Sequence, residues 1–320
     1  MPLHAQCKAF LDQMAAVGGK PLHEMPPVEL RANRAENAAV FLALAGPAQE
    51  VARVENRSIP GPAQPIPIRV YWPATGPKLP ALVYFHGGGW VIGNLDQVDT
   101  QCRALANGAQ CVVVNVDYRL APEHKFPAAV EDAYAAVRYV AEHADEFDVG
   151  PGRIAVGGDS AGGNLATVCC LMARDDRGPK IAYQLLVYPV TDYDDDRSST
   201  HEFADGYLLT RAAMDYFWGH YVSSPEEGRS PHASPLNAKS LAGLPPAMVI
   251  TAECDPIRDQ GEAYASRLQD AGVPVTMKRY AGAIHVFFNL GGVIDSGKEA
   301  VADAAAALRK AFFGGAGAGA

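Results

Sequence analysis

The chain has 320 residues, 48% of them hydrophobic and 20% charged, so it can bury a core without needing disulfides or a metal. Its 27 Lys and Arg against 36 Asp and Glu give a formal net charge of −9, which argues against nucleic acid or an anionic membrane as a partner. The six cysteines show no CxxC and no His/Cys ligand spacing, so the sequence predicts no metal site. The N-terminus lacks a basic segment followed by an apolar signal core, and no 18-residue apolar stretch follows, so we expect a cytoplasmic protein.

The first fifty residues are predicted to be helical. FLDQMAAV and RANRAENAAVFLALA have helical spacing of apolar residues, and the prolines of the intervening PLHEMPPVEL break that spacing. From about residue 53 the period changes, because ARVENRSIPG and IPIRVYWP have the pattern of two strands flanking a Pro/Gly turn.

Continuous apolar runs then alternate with helical stretches such as AAVEDAYAAVRYVAEHA and the residues from about 164 to 175. Runs of this kind predict an α/β fold with a parallel sheet that is covered by helices on both faces. The predicted core strands are PALVYFHGGGW, CVVVNVDYRL, RIAVGGDSAGG, IAYQLLVYPV, PAMVITAECD and VTMKRYAG.

The span 191–237 interrupts this alternation. It opens with the acidic run DYDDDRSS, which favours a solvated loop, and continues with the aromatic-rich helical stretch GYLLTRAAMDYFWGHYV. We therefore expect a small lid assembled from the N-terminus and this insertion. The predicted divisions are N-terminal cap helices at 1–50, the first part of the core at 51–190, the cap insertion at 191–237, the second part of the core at 238–313 and a flexible tail at 314–320.

The strongest chemical signals lie at strand ends. Gly158-Asp159-Ser160-Ala161-Gly162 stands between a predicted strand and a predicted helix, where a strained turn can lift a serine hydroxyl above the sheet. At the end of another strand, HGGGW places consecutive glycines whose N–H groups can approach a ligand oxygen without hindrance from a Cβ. We assign the backbone N–H groups of an oxyanion hole to Gly88, Gly89 and Ala161, with His86 orienting the loop.

A serine nucleophile needs a base, and the base needs an acid to orient it. Of the histidines after Ser160, only His285 follows the last core strand, while His201, His220 and His232 fall in or beside the insertion. The acid is expected after the preceding core strand, where Asp255 stands nearest to the strand end. Asp259 is its main competitor and Glu253 a weaker one.

Five motifs occur in order between about residues 80 and 290, and together they resemble the hormone-sensitive-lipase-like esterases of the α/β-hydrolase fold, in the branch with GDSAG. They are HGGGW, DYRLAPEHKFPAAVEDA, GDSAGGNLA, LPPAMVITAECDPIRDQG and YAGAIHVF. The resemblance implies hydrolysis of carboxylic esters and a helical cap. It also implies a catalytic triad formed by Ser160, Asp255 and His285. The chain departs from the family pattern at Gln260, where glutamate is usual, and at Val286, where glycine is frequent.

The predicted activity is two-step acyl transfer by a serine carboxylesterase, which requires no cofactor. A capped pocket favours small esters with short or medium acyl chains, and its predicted lining is Trp90, Tyr207, Leu208, Phe217 and Val286. Tyr207, Leu208 and Phe217 are equally suited to packing the lid onto the core, and Trp90 to supporting the site without lining it. Amidase, lactonase or acyltransferase activity would use the same residues, and a non-catalytic receptor for small molecules is a further alternative. A homodimer is possible.

Overall fold

The computed structural model describes residues 3–75 and 78–314, so the predicted tail lies outside the described residues from position 315 onward. Eight strands form one sheet in the order β1-β2-β4-β3-β5-β6-β7-β8. The strands are β1 (Arg53–Ile59), β2 (Ile66–Trp72), β3 (Leu79–Phe85), β4 (Val112–Val116), β5 (Val149–Asp159), β6 (Ile181–Val187), β7 (Ala247–Cys254) and β8 (Val275–Ile284).

The sheet is parallel from β4 to β8, whereas β1 and β2 are antiparallel to their neighbours. The carboxyl ends of β3, β5, β7 and β8 therefore lie at the same edge of the sheet. In open α/β sheets this is the edge at which ligands bind. Each of the chemical motifs found in the sequence follows one of these four strands.

Helices cover the sheet, as the apolar runs predict. They are α1 (Ala5–Val17), α2 (Pro27–Glu36), α3 (Ala38–Ala45), α4 (Asp99–Ala109), α5 (Ala128–Glu142), α6 (Ala161–Asp175), α7 (Ser198–Glu202), α8 (Arg211–Tyr221), α9 (Pro225–Arg229), α10 (Arg258–Asp270) and α11 (Asp295–Phe313).

The two faces of the sheet have separate cores. In β3, Val83 and Phe85 belong to one apolar cluster together with residues of α5, α6 and α10. Leu82 and Tyr84 of the same strand point the other way and belong to a second cluster, with residues of α4 and α11. Because neighbouring side chains of a strand alternate between faces, a strand that is buried on both sides must be apolar throughout.

The N-terminal helices differ in their bounds from the prediction. RANRAENAAVFLALA divides at Asn37 into α2 and α3, and α2 begins at Pro27, inside the segment predicted to break the helix. That prediction is wrong for its second half, because proline is well tolerated in the first turn, where its missing N–H would have no partner. The segment just before α2 contacts the insertion, since the Tyr216 hydroxyl donates to the Met25 carbonyl at 2.9 Å.

All six cysteines are buried and carry free thiols. Within the described ranges, no helix combines the length and the apolar character that crossing a bilayer requires.

Candidate active site

Ser160 lies at a sharp turn between β5 and α6, with a backbone φ of 55°. A Cβ on Gly158 would lie 2.4 Å from the backbone of Gly162, and a Cβ on Gly162 would lie 1.9 Å from the carbonyl oxygen of Phe85. Both distances are shorter than any normal contact, so only glycine fits at these two positions. The spacing of the glycines thus follows from the way the turn packs against the end of β3.

His285 follows β8 and connects Ser160 to Asp255. Its Nε2 lies 3.0 Å from the Ser160 Oγ, and its Nδ1 lies 2.6 Å from Oδ2 of Asp255. The second carboxylate oxygen of Asp255 accepts the N–H of Ile257 at 3.0 Å, which fixes the orientation of the carboxylate. All three side chains are buried. Hydroxyl, imidazole and carboxylate thus form one continuous hydrogen-bonded chain.

The other two candidate acids have different partners. Asp259 accepts the N–H of Ser199 at 2.9 Å and forms an ion pair with Arg258 at 2.8 Å, and its own N–H donates to the Ser199 hydroxyl. Glu253 accepts the N–H of Gly282 at 2.7 Å. Asp259 therefore joins α10 to α7, and Glu253 supports the end of β8.

The remaining candidate histidines lie away from the serine. Nε2 of His201 lies 2.8 Å from Oδ1 of Asp196 on the surface of the insertion. His220 packs against Tyr216 of the same helix, α8, with ring centroids 4.4 Å apart. His232 lies in the segment between α9 and residue 235.

The glycine loop after β3 adopts backbone conformations that other residues rarely adopt, with φ of 121° at Gly88 and 58° at Gly89. The Gly88 carbonyl accepts the N–H groups of Val91 and Ile92, which closes the turn. Among the described residues, the amides of Gly88, Gly89 and Ala161 donate to no protein acceptor. For Ala161 this follows from its place at the start of α6, where a helix has no carbonyl for its first N–H groups.

His86 lies beneath this loop. Its Nδ1 is 2.8 Å from the Gly87 carbonyl oxygen, and its own carbonyl accepts the Tyr118 hydroxyl at 2.7 Å. The Tyr118 ring also stacks on the imidazole, with centroids 4.4 Å apart. These contacts fit the predicted role of His86 in orienting the loop.

Two of the predicted pocket residues are buried where the insertion meets the glycine loop. A Cβ on Gly89 would lie 2.2 Å from Cγ of Phe217, so the ring of Phe217 lies directly on the Gly89 backbone. Trp90 is fully buried and stacks on Tyr221, with centroids 4.0 Å apart and planes 5° from parallel. Phe217 therefore covers the loop, whereas Trp90 supports it from within the core and does not line an open cavity in this structure.

The other three predicted pocket residues are more accessible. Tyr207 is half-buried and packs edge-on against Phe203, with centroids 5.0 Å apart. Leu208 is 38% exposed and Val286 is half-buried. Leu208 and Val286 have positive φ angles of 75° and 64°, which are strained for residues with branched side chains.

A cavity of about 430 Å³ lies between the insertion and the start of α10, and none of the predicted pocket residues lines it. Part of its wall comes from the acidic run, for which the sequence predicted a solvated loop. That prediction is wrong for Asp192, which is buried, and for Asp195, whose side chain is 6% exposed and accepts hydrogen bonds from Arg197, Thr200 and Gln260. It holds for Asp196, whose side chain is 75% exposed.

Gln260, where the family usually has glutamate, is matched to Asp195. Its Oε1 accepts the N–H groups of Thr191 and Asp192 at 2.6 and 3.0 Å, and its Nε2 donates to Asp195 at 2.9 Å. A glutamate here would place a second carboxylate against Asp195. The amide therefore fits this local arrangement.

Asp159 is a functional candidate that the sequence alone does not identify. This side chain is buried, burial raises the pKa of its carboxyl group, and its oxygens accept three hydrogen bonds. The sequence feature that could have pointed to Asp159 is a charged residue at the end of an otherwise apolar strand. In residues 3–75 and 78–314, no group of three or more His, Cys, Asp or Glu side chains is placed to hold a metal ion.

Comparisons with known proteins agree with the observed architecture. A family model described as alpha/beta hydrolase fold matches residues 82–289. The carboxylic ester hydrolase LipN of Mycobacterium tuberculosis (strain ATCC 25618 / H37Rv) is 47% identical over 268 residues, which cover 82% of this chain and 71% of LipN. The ethyl acetate hydrolase of Pseudomonas putida is 36% identical over 321 residues, which cover 97% of this chain and 99% of that protein.

A solved structure gives the same picture. The hyperthermophilic esterase from the archaeon Pyrobaculum calidifontis superposes with a TM-score of 0.93 and 45% sequence identity, covering 97% of this chain and 99% of that one. The similarity thus includes the N-terminal helices and the insertion as well as the sheet.

Proposed function

This chain belongs to the hormone-sensitive-lipase-like family of α/β hydrolases and is a carboxylic ester hydrolase, and from that premise we propose that it cleaves short- to medium-chain esters through an acyl-enzyme on Ser160. The main support is the continuous hydrogen-bonded chain in which His285 lies 3.0 Å from the Ser160 hydroxyl and 2.6 Å from the Asp255 carboxylate.

In the proposed first step, the Ser160 Oγ attacks the ester carbonyl carbon while Nε2 of His285 takes the hydroxyl proton. The distance of 3.0 Å is within the reach that a general base needs. Asp255 accepts the Nδ1–H of the same ring, which fixes the tautomer and stabilises the imidazolium that forms.

We assign stabilisation of the negative charge that develops on the carbonyl oxygen to the N–H groups of Gly88, Gly89 and Ala161. This assignment is supported by the fact that, among the described residues, all three N–H groups lack a protein acceptor. One donor of this kind contributes about 3 kcal/mol of transition-state stabilisation in a serine hydrolase.

The second half of the cycle uses the same groups. The imidazolium of His285 gives its proton to the alkoxy oxygen as the carbon–oxygen bond breaks, and the alcohol leaves. A water molecule then loses a proton to His285 and attacks the acyl carbon, and the proton returns to the Ser160 Oγ as the carboxylic acid is released.

The proposed preference for short acyl chains rests on the covering of the glycine loop. The Phe217 ring lies on Gly89 and fills the space beside the loop. We propose that a longer acyl chain would need this space. The name of the similar Pseudomonas putida protein, ethyl acetate hydrolase, gives an ester of a two-carbon acid as the substrate of that relative.

The role of Ser160 is tested with Ser160→Ala, compared with Ser234→Ala as a matched control. Ser234 is also a buried serine, but its hydroxyl donates to the Gly228 carbonyl and accepts the N–H of Tyr193. Hydrolysis of p-nitrophenyl acetate should fall by about 10⁴-fold or more in Ser160→Ala and stay within about threefold of wild type in the control. Hydrolysis retained by folded Ser160→Ala would overturn the assignment.

A further inference from the structure

Asp159 is a buried carboxylate at the end of β5 that the proposed mechanism does not use. Its Oδ1 accepts the Tyr84 hydroxyl and the Gly87 N–H, each at 3.1 Å. Its Oδ2 accepts the side-chain amide of Asn289 at 2.9 Å. The peptide bond joins Asp159 directly to Ser160, so one side chain contacts two other loops of the site from behind the serine.

The contact with the glycine loop is close. A Cβ on Gly87 would lie 2.5 Å from Oδ2 of Asp159, so the loop backbone rests against the carboxylate and has no space for a side chain. Gly87 is followed immediately by Gly88 and Gly89, whose N–H groups are the proposed oxyanion donors. A shift of the carboxylate would therefore be transmitted to these donors through one peptide unit.

The contact with the histidine loop is made by Asn289, four residues after His285. The N–H of Asn289 donates to the Val286 carbonyl at 2.8 Å, which ties the amide side chain to the turn that follows the histidine. The Asn289 Oδ1 is buried and has no hydrogen-bond partner among the described residues. In this structure the amide thus turns its donor toward Asp159 and leaves its acceptor unpaired.

We propose that Asp159 is a positioning residue whose carboxylate holds the glycine loop, through Gly87, and the histidine loop, through Asn289, in register with Ser160. The inference rests on the proposed function, because it supposes that these loops carry the oxyanion donors and the base. Asp159 touches no reacting atom. It acts by fixing the distances among groups that do, and losses of alignment on the scale of 1 Å cost large factors in rate.

The first test compares the loss of both links with the loss of the histidine-loop link alone. Asp159→Ala removes both links and Asn289→Ala removes only the histidine-loop link, whereas Tyr84→Phe deletes a hydrogen bond to the same carboxylate oxygen without freeing either loop. We expect kcat to fall by about 10²-fold in Asp159→Ala and about 10-fold in Asn289→Ala, with KM within about threefold of wild type. The Tyr84→Phe control should stay within about twofold of wild type.

The kcat values are expressed per active site, counted by labelling to completion with a fluorophosphonate. A side chain that only stabilised the fold would lower the number of active sites and the melting temperature but leave kcat per site unchanged. Wild-type kcat per site in Asp159→Ala would therefore overturn the proposal. If Asp159→Ala does not fold, wild-type kcat per site in Asn289→Ala would do the same.

The second test exchanges the two partners. Asn289→Asp places two buried carboxylates against each other, and we expect the largest loss of kcat in this variant. In the double variant Asp159→Asn/Asn289→Asp, the new amide at 159 can donate to the new carboxylate at 289 while its oxygen still accepts the Gly87 N–H. The kcat of the double variant should be at least about tenfold higher than that of Asn289→Asp, because side chains in direct contact couple strongly in double-mutant cycles.

Equal activity of Asn289→Asp and the double variant would contradict a direct link between these side chains. Failure of the proposed function gives a different result, since it appears as hydrolysis retained by Ser160→Ala or as a wild-type enzyme that fluorophosphonate does not label.

Discussion

Phe217 is predicted to limit the length of the acyl chain, and the variant Phe217→Ala tests this. Its ring lies on the backbone of Gly89, beside the proposed oxyanion donors, and it is 5% exposed. Truncation to alanine removes the ring and opens space next to the loop. Part of the apolar wall then becomes available to a substrate chain that the ring now excludes.

The expected gain can be worked from the area that each added carbon buries. Burial of one methylene contributes about 0.8 kcal/mol, which is about fourfold in kcat/KM for each carbon that enters the new space. If the emptied site accepts two to four methylenes, the ratio of octanoate to acetate hydrolysis should rise by about 15- to 250-fold relative to wild type. The same truncation of a buried phenylalanine should cost about 3–5 kcal/mol of unfolding free energy.

The assay compares kcat/KM across a series of p-nitrophenyl esters from acetate to octanoate. Phe147→Ala is the matched control, because Phe147 is equally buried but lies at the opposite edge of the sheet, near Trp72 and Arg57. The control should lose similar stability and keep the wild-type chain-length profile. An unchanged octanoate-to-acetate ratio in folded Phe217→Ala would refute the reasoning.

Three further predictions follow from the geometry. Asp255→Asn should lower kcat by about 10⁴-fold because it disturbs the histidine tautomer, while Asp259→Asn should stay within about threefold and lose stability instead. Val286→Gly should be more stable than Val286→Ala by about 1 kcal/mol in urea unfolding, because glycine relieves the positive φ of 64° and alanine does not. Burial raises the pKa of Tyr183 to about 12, so the unfolded chain loses this proton first as pH rises. Stability on the order of 2 kcal/mol that is present below about pH 10 should be lost by about pH 12, and Tyr183→Phe should flatten that slope.

Much of the fold could be predicted because its signals are local. The strands of a sheet covered on both faces must be apolar at consecutive positions, so runs such as CVVVNVDYRL identify them without knowledge of their neighbours. The serine turn and the glycine loop are also local, since close packing at Gly158 and Gly162 demands glycine at fixed spacing. Chain order then placed His285 after the last strand, and the fold brings it to the serine.

The acidic run shows where local pattern fails. Four aspartates within five residues are typical of a solvated loop, and Asp194 and Asp196 do lie at the surface. Asp195 is buried because Arg197 lies two residues away and Gln260, 65 residues further along the chain, supplies an amide donor. Asp192 is buried as well and pairs with the same arginine. No property of the run itself distinguishes Asp192 and Asp195 from Asp194 and Asp196.

The same limit explains why Asp159 drew no assignment. The residue before the serine could be read as an element of the motif, but its role depends on Gly87 and Asn289, which are 72 and 130 positions away in sequence. A buried carboxylate needs donors to offset its loss of hydration, and a single sequence does not show which donors the fold supplies. Gln260 is the opposite example. Its departure from the family pattern is visible in the sequence, but the structural reason, a hydrogen bond to the side chain of Asp195, is not. A polar residue at a buried position is therefore informative only together with its partners, and in this chain those partners are distant residues that only the folded structure brings together.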